Sequence, residues 1–219
     1  MFRHTHPYPP FLFPGATKMI VGTLPPPRFT TGELLPGDVD FCYGSRDGQL
    51  WPILDKIFQL GLNYETTEAA VEERKQFLRD RKIAICDVVA CAWRDKMDAS
   101  DLGMKDIELR DLLGYLEEFQ KIHTLLFTGG NSLNGPEYLF RRLLKGHAIS
   151  LRPVEKEVPR IHEFDLGVKG RTIRTVSLTA PSGSANRAVG SMREFKLKKE
   201  QDQSFTTLDF RVMQYRPYF

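Results

Sequence analysis

The chain has 219 residues and a formal net charge of +3; 41% of its residues are hydrophobic and 27% are charged. This length and composition favour one folded domain with extensions and exclude a mostly disordered chain. No apolar run approaches the ~20 residues that cross a bilayer, so we expect no membrane partner. Prolines interrupt the first fifteen residues, so this segment lacks the continuous apolar stretch that a signal peptide needs. The three cysteines lack CxxC spacing, which also fits a cytoplasmic protein. We therefore expect a cytoplasmic protein, and we expect it to be a monomer.

Basic residues are concentrated in the C-terminal half of the chain. The segment 141–199 contains fourteen Lys or Arg and five Asp or Glu, a balance of +9. The rest of the chain contains 17 basic and 23 acidic residues, a balance of −6, and the two values sum to +3. This distribution is compatible with DNA or RNA as a partner. A solvated basic face without such a partner is the alternative interpretation.

Short apolar runs alternate with amphipathic segments over most of the chain. The apolar runs predict buried strands at 18–23, 83–91 and 124–128. Helical spacing of apolar residues predicts helices at 49–60, 67–81, 109–119 and 136–145. Two later strands are predicted at 148–152 and 172–178, separated by a polar hairpin or loop, and the aromatic tail 205–219 is expected to pack on the body. Strands that alternate with helices favour a mostly parallel sheet covered on both faces.

Ligands of such sheets bind beyond the carboxyl ends of the strands. Five segments are expected at that edge: 22–27, 41–47, 87–94, 129–134 and 179–187. Asp87 is the most informative residue there, because burying a carboxylate without a partner is costly. It binds a ligand, or it is satisfied by local backbone N–H groups or by Arg94. The polar loop 181–187 has the donors that suit phosphate contacts, although a plain surface loop has the same composition.

Several other chemistries lack their sequence signatures. A serine hydrolase would need a GxSxG turn, and a Rossmann dinucleotide site would need GxGxxG after the first strand, and neither is present. His4 and His6 are interpreted as exposed terminal histidines, because no second ligand cluster with zinc-like spacing follows them. We therefore expect no metal and no cofactor.

Five segments occur in a recognisable order: VGTLPPP (21–27), CYGSRDGQLWPIL (42–54), ICDVVACAWR (85–94), LLFTGG (125–130) and LTAPSGSANR (178–187). Together they resemble the uracil-DNA glycosylase superfamily, and most closely its hypoxanthine-DNA glycosylase branch, which removes deaminated purine. The resemblance covers roughly residues 19–187. It implies a three-layer α/β/α sandwich with a central, mostly parallel sheet in residues 18–190. An N-terminal arm, 1–17, would precede this domain, and a C-terminal extension, 191–219, would pack on it.

The resemblance also implies a pocket for a base flipped out of damaged or mismatched DNA. The residues expected to bind the base are Gly22, Thr23, Leu24, Pro25, Tyr43 and Asp87. For catalysis, Asp87 would bind the edge of the base and Ser45 would position the attacking water, with Asp47 assisting. The residues expected to contact DNA are Gly130, Asn131, Pro181, Ser182, Gly183, Ser184, Ala185, Asn186 and Arg187.

The chain departs from the superfamily at positions that carry chemistry. Thr23, Leu24 and Pro25 stand where the best-known members have a water-activating aspartate, Ala180 stands near the place of a histidine, and Ser45 replaces an asparagine. Three functions remain open. The first, which we expect, is a monofunctional DNA glycosylase for a deaminated base, uracil or hypoxanthine. The others are a non-catalytic nucleobase- or nucleic-acid-binding module with the same fold, and an unrelated α/β enzyme acting on a small nucleotide.

Overall fold

The chain forms an α/β protein with a mixed six-stranded sheet and a small antiparallel sheet. The computed structural model describes residues 1–167 and 170–219, which form nine strands and eight α-helices. The strands are β1 Phe2–Thr5, β2 Lys18–Val21, β3 Ile83–Ile85, β4 Val89–Arg94, β5 Met104–Leu109, β6 Thr124–Phe127, β7 Arg152–Glu155, β8 Arg160–Leu166 and β9 Arg171–Ser177. The helices are α1 Pro27–Thr31, α2 Leu50–Phe58, α3 Glu68–Asp80, α4 Leu112–Glu118, α5 Pro136–Gly146, α6 Asn186–Ser191, α7 Arg193–Gln201 and α8 Thr207–Tyr215.

The large sheet has the strand order β3-β2-β6-β9-β8-β7. The first four of these strands pair in parallel, and β8 and β7 continue the sheet antiparallel. Leu166 of β8 pairs with Arg171 of β9, and only four residues separate them. A connection that short can join only antiparallel neighbours. The sheet is therefore mixed, with its parallel strands on the side that carries the cavity described below.

The predicted strand 83–91 is wrong as a single element. The chain instead forms β3 in the large sheet and β4 in the small sheet, which has the order β1-β4-β5. Between them, the backbone N–H groups of Cys86 and Val88 still donate to the carbonyls of Ile20 and Gly22. Asp87 lies between the two strands, and its carboxylate is held by the Gly22 N–H just past the end of β2 and by the side chains of Tyr43 and His6.

The segment 148–166 also differs from its prediction. The strand expected at 148–152 is wrong: Ala148 has a positive φ of 55° just after α5, and β7 begins only at Arg152. Part of the segment expected as a polar hairpin or loop is β8, in which His162, Phe164 and Leu166 are buried. These residues alternate with the charged Glu163 and Asp165, which is the two-residue periodicity of a strand with one buried face. The four predicted helices correspond to α2, α3, α4 and α5, with ends within three residues of the prediction.

Each face of the large sheet carries a hydrophobic core. Along β2, Met19 and Val21 pack on one face and Ile20 packs on the other, since successive side chains of a strand point to opposite faces. The first core contains α4 and α5, and the second contains residues of α2, α3 and α8. Helices cover both faces, so the carboxyl edge of the parallel strands is the place where loops converge.

Both terminal segments are built into the fold. Strand β1 pairs with β4, with Phe2 opposite Arg94. At the other end, Tyr215 of α8 is fully buried, and Lys18 Nζ donates to the carbonyl of Tyr218 at 2.6 Å. No helix among the described residues has the length and apolar composition needed to span a membrane.

Candidate functional site

A cavity of about 570 Å³ lies at the carboxyl edge of β2 and β6, where ligands of parallel sheets bind. Its volume is within the range typical of small-molecule sites. Predicted site residues that line it are Gly22, Thr23, Leu24, Pro25, Tyr43, Ser45, Asp47, Asp87, Pro181, Ser182, Gly183 and Ser184. Further lining residues are Pro26, Gly44, Gly48, Ala99, Ser100, Asp101, Thr128 and Ala180. Three of the five segments expected at this edge thus contribute several residues each, and Asp87 contributes alone from a fourth.

Five of the predicted DNA-contacting residues do not line the cavity: Gly130, Asn131, Ala185, Asn186 and Arg187. Gly130 packs on β8, since a Cβ atom there would lie 2.7 Å from Arg160 Nη2. The Asn186 side chain accepts hydrogen bonds from Arg211 and Thr207 within the protein. Arg187 is exposed.

The Asp87 carboxylate is bonded to three partners at the cavity, and the residue is only 5% exposed. Its Oδ1 accepts from the backbone N–H of Gly22 at 2.9 Å and from the hydroxyl of Tyr43 at 3.0 Å, and Oδ2 lies 3.0 Å from His6 Nε2. Burial by itself raises the pKa of Asp87, but the hydrogen bonds from His6, Tyr43 and Gly22 outweigh it and hold the pKa below its ordinary value. Asp87 is therefore an ionised acceptor at the floor of the site. A carboxylate has about four acceptor directions, and these donors occupy three.

The N-terminal histidines are buried, which corrects the expectation that they are exposed: His4 is 0% exposed and His6 is 8% exposed. His6 Nδ1 accepts the backbone N–H of Tyr8 at 3.2 Å, so the ring proton is on Nε2 and is donated to Asp87. His4 Nδ1 accepts from Arg94 Nε at 2.8 Å, and burial together with the charge of Arg94 lowers the pKa of His4 to about 4. One interpretation of the sequence had Arg94 satisfying Asp87. Arg94 instead donates its hydrogen bond to His4.

The backbone of Gly22 lies very close to the side chains of Tyr43 and Asp87. A Cβ atom on residue 22 would lie 2.2 Å from the Tyr43 hydroxyl and 2.8 Å from Asp87 Oδ1, so only glycine fits there. Tyr43 adopts a positive φ of 59°, which is uncommon for a residue with a side chain. Its hydroxyl also lies 3.0 Å from Thr128 Oγ1. Asp87 and Thr128 thus hold Tyr43 in a strained conformation against the cavity, as is frequent at binding sites.

Arg28 of α1 organises the loop that carries Ser45 and Asp47. It donates two hydrogen bonds of 2.8 Å to the fully buried Asp38, and Nη2 also donates to Ser45 Oγ at 2.8 Å. The carboxylate of Asp47 pairs with Arg28 at 3.3 Å, and only its backbone N–H reaches Ser45 Oγ. Ser45 is therefore fixed at the cavity with its hydroxyl proton available for donation. The geometry gives Asp47 no hydrogen bond through which it would take a proton from Ser45.

Asp101 is a site residue that the sequence analysis missed. It lines the cavity from the segment between β4 and β5, and its Oδ1 accepts from the Thr23 hydroxyl at 2.7 Å. Burial raises the pKa of Asp101 to about 6, against the opposing effects of the Thr23 hydrogen bond and the charge of Arg94. The segment 95–103 is polar and rich in charged residues, so nothing in its pattern distinguishes Asp101 from its neighbours.

Arg211 of α8 was also missed, and it fixes the loop 180–186, of which residues 180–184 form one wall of the cavity. This fully buried guanidinium donates to the carbonyls of Ala180 and Ser182 at 2.8 and 3.0 Å. It also donates to Gln49 Oε1 at 2.8 Å and to Asn186 Oδ1 at 2.9 Å. The C-terminal extension therefore has a structural role at the site, because it holds one wall of the cavity.

Comparison of the chain with protein-family models, with curated proteins and with solved structures found no match. Within residues 1–167 and 170–219, no group of three or more His, Cys, Asp or Glu side chains could hold a metal ion. The geometry of the cavity and the resemblance of the five sequence segments are therefore the features that indicate a function.

Proposed function

We propose that the chain is a DNA glycosylase of the uracil-DNA glycosylase type. It would hydrolyse the N-glycosidic bond of a deaminated base, uracil or hypoxanthine, that is flipped out of DNA. The observation that carries this proposal is the convergence on one cavity of the wall Gly22–Pro25, Tyr43, Asp87 and the loop Pro181–Ser184. These elements come from four of the five segments that carry the resemblance. The three-layer α/β/α sandwich of that superfamily is part of the same proposal.

The cavity has groups suited to the recognition of a base. Asp87 is ionised and has one acceptor direction left, so it would accept an N–H from the edge of the base. A hydrogen bond to a charged group contributes about 1.5–3 kcal/mol. Tyr43 is fixed through its hydroxyl, so its ring would present a rigid surface beside the base. A deaminated or mispaired base also costs less to extrude than a paired one, which favours damaged sites.

Exposed basic residues follow one wall of the cavity along the chain, and they support DNA as the partner. Helices α6 and α7 directly follow the loop 180–185. Their exposed cationic side chains are Arg187, Arg193, Lys196 and Lys198. Over residues 187–199 there are five basic residues and one acidic residue. Basic residues that directly follow a cavity-lining loop in the chain suit the phosphates that flank an extruded nucleotide.

Excision by the purified full-length chain tests the proposal. Labelled oligonucleotides would carry uracil, hypoxanthine, xanthine or a mismatched thymine, in single strands and opposite each base. Alkaline cleavage would reveal abasic sites. We expect cleavage at uracil or hypoxanthine. If the protein binds these oligonucleotides without cleaving any of them, it is instead a non-catalytic binding module, and absence of both binding and cleavage would refute a DNA function.

Replacing the four exposed cations by glutamine is expected to weaken DNA binding and its salt dependence together. Each lost phosphate contact to duplex DNA lowers the slope of log K against log salt by about 0.9, so the quadruple variant should lose up to roughly 3–4 units. The slope would be measured by fluorescence anisotropy from 50 to 300 mM salt. The control is Lys82→Gln with Lys121→Gln, two cations just before β3 and β6, at the opposite edge of the sheet. An equal loss of slope in both variants would contradict the assignment of this surface.

A further inference from the structure

The cavity contains a carboxylate that neither the resemblance nor the base-recognition argument uses. Asp101 has Oδ1 fixed by the Thr23 hydroxyl, while the hydrogen bonds among the described residues leave Oδ2 unengaged. Its backbone is also fixed: Asn134 Nδ2 donates to the Asp101 carbonyl at 3.0 Å, and Arg94 Nη1 donates to the Ser100 carbonyl at 2.6 Å. The segment is therefore held so that the carboxylate stays at the cavity wall.

Hydrolysis of an N-glycosidic bond requires a group that takes a proton from water, and three carboxylates line the cavity. Asp87 holds three donors and is 5% exposed, so its remaining acceptor direction suits a base N–H better than a mobile water. The side chain of Asp47 is 72% exposed and paired with Arg28. Asp101 alone among the three combines a fixed position, an unengaged oxygen and no cation bonded to its carboxylate.

We propose that Asp101 is the general base of this site, an inference that rests on the proposed glycosylase function. In this step Asp101 Oδ2 accepts a proton from a water molecule while the water oxygen forms a bond to C1′ of the sugar. The bond between C1′ and the base nitrogen breaks, and its electron pair leaves with the base. The departing base takes up a proton from solvent, and Asp101 later releases its proton to solvent. The products are the free base and an abasic sugar with a 1′-hydroxyl group.

The ionisation of Asp101 predicts the pH dependence of excision. The charged groups that face it are Arg94 of β4, which lowers the pKa of its carboxyl, and Asp87, which raises it. Asp98 and His4 interact with Arg94, and they affect Asp101 through that residue. Burial raises the pKa of Asp101 to about 6. A base must be ionised to act, so the rate is half-maximal near pH 6, approaches its full value about one pH unit above that and falls about tenfold per unit well below it.

The test compares single-turnover excision by wild type and by Asp101→Asn, on an oligonucleotide with one uracil or hypoxanthine, from pH 4.5 to 8.5. Asparagine keeps the acceptor for the Thr23 hydroxyl, so the fold is retained. Loss of a general base is expected to lower the excision rate about 10²–10⁴-fold and to remove the fall of the rate near pH 6. Thr23→Val is expected to move this fall to higher pH, because the hydrogen bond from Thr23 lowers the pKa of Asp101.

Asp95→Asn is the matched control, because it removes the same charge from the same segment at a side chain that is 55% exposed, pairs with Lys105 and does not line the cavity. It should leave the excision rate and its pH dependence unchanged. If Asp101→Asn excises within threefold of wild type, the assignment of Asp101 is wrong and the glycosylase function stands. If Asp101→Asn loses DNA binding together with excision, Asp101 is a binding residue and the assignment is also wrong. If wild type excises neither base, the proposed function fails, and this inference fails with it.

Discussion

Replacing Asp87 by asparagine is expected to lower the free energy of unfolding by about 1–3 kcal/mol and the excision rate by about 10²-fold. The stability loss follows from the donors around the residue. Asparagine can still accept from the Gly22 N–H and the Tyr43 hydroxyl, but its amide NH₂ then faces the Nε2 proton of His6. If His6 moves its proton to Nδ1, that proton faces the N–H of Tyr8 instead. Whichever ring nitrogen of His6 carries the proton, two hydrogen-bond donors therefore face each other in a buried site.

The loss of activity has a separate cause. The base would lose a charged acceptor, and hydrogen bonds to charged groups contribute about 1.5–3 kcal/mol, a factor of roughly 10 to 150. Urea unfolding and single-turnover excision would be measured on the same preparations. Asp47→Asn serves as the stability control, because exposed ion pairs contribute only about 0–1 kcal/mol.

A double-mutant cycle separates the donor conflict from other effects of the Asp87 substitution. His6→Ala removes the imidazole proton, so Asp87→Asn should cost about 1 kcal/mol less in that background than in wild type. Strict additivity of the two unfolding free-energy changes would show that the conflict with His6 is not the cause.

The sequence predicted the parts of this fold that depend on local pattern. Apolar runs located β2 and β6, and the helical spacing of Leu50, Ile53, Leu54 and Ile57 located α2, because these patterns are created by burial of one face. The convergence of loops at the carboxyl edge follows from the parallel pairing alone. The predictions failed where a polar partner distant in sequence decides the structure. Asp87, in the break between β3 and β4, has His6 and Tyr43 as side-chain partners, which lie 81 and 44 residues away.

The same reason explains which site residues were missed. Asp101 acquires its environment from Thr23, which lies 78 residues earlier, and Arg211 acquires its role from carbonyls 29 and 31 residues earlier. Neither residue stands out in its own segment, since a charged residue in a polar loop or a helix is ordinarily solvated. His6 was interpreted as an exposed terminal histidine because no second metal-ligand cluster follows it, whereas its ring is buried against Asp87.

Arg211→Met is expected to lower the free energy of unfolding by roughly 2–4 kcal/mol, because it removes the donor of four acceptors at once. The Ala180 carbonyl and Gln49 Oε1 are left without a donor, whereas the Ser182 carbonyl and Asn186 Oδ1 each keep one, from the Ala185 N–H and the Thr207 hydroxyl. Since the loop 180–186 then lacks its anchor, DNA affinity should fall in parallel with stability. Methionine approximates the length of the aliphatic part of arginine, so the loss reports hydrogen bonds more than packing.

The matched control for this prediction is Arg216→Met, which removes an exposed guanidinium just after the end of α8. Exposed substitutions of this kind change stability by about 0.5 kcal/mol or less. Hydrogen exchange should show faster exchange of the amides in 180–186 in Arg211→Met than in Arg216→Met, while amides of β2 and β6 change only with global stability. If the loop amides remain as protected as in wild type, backbone contacts such as that between Gln49 N–H and the Pro181 carbonyl hold the wall instead of Arg211. The C-terminal extension would then contribute to the fold without shaping the site.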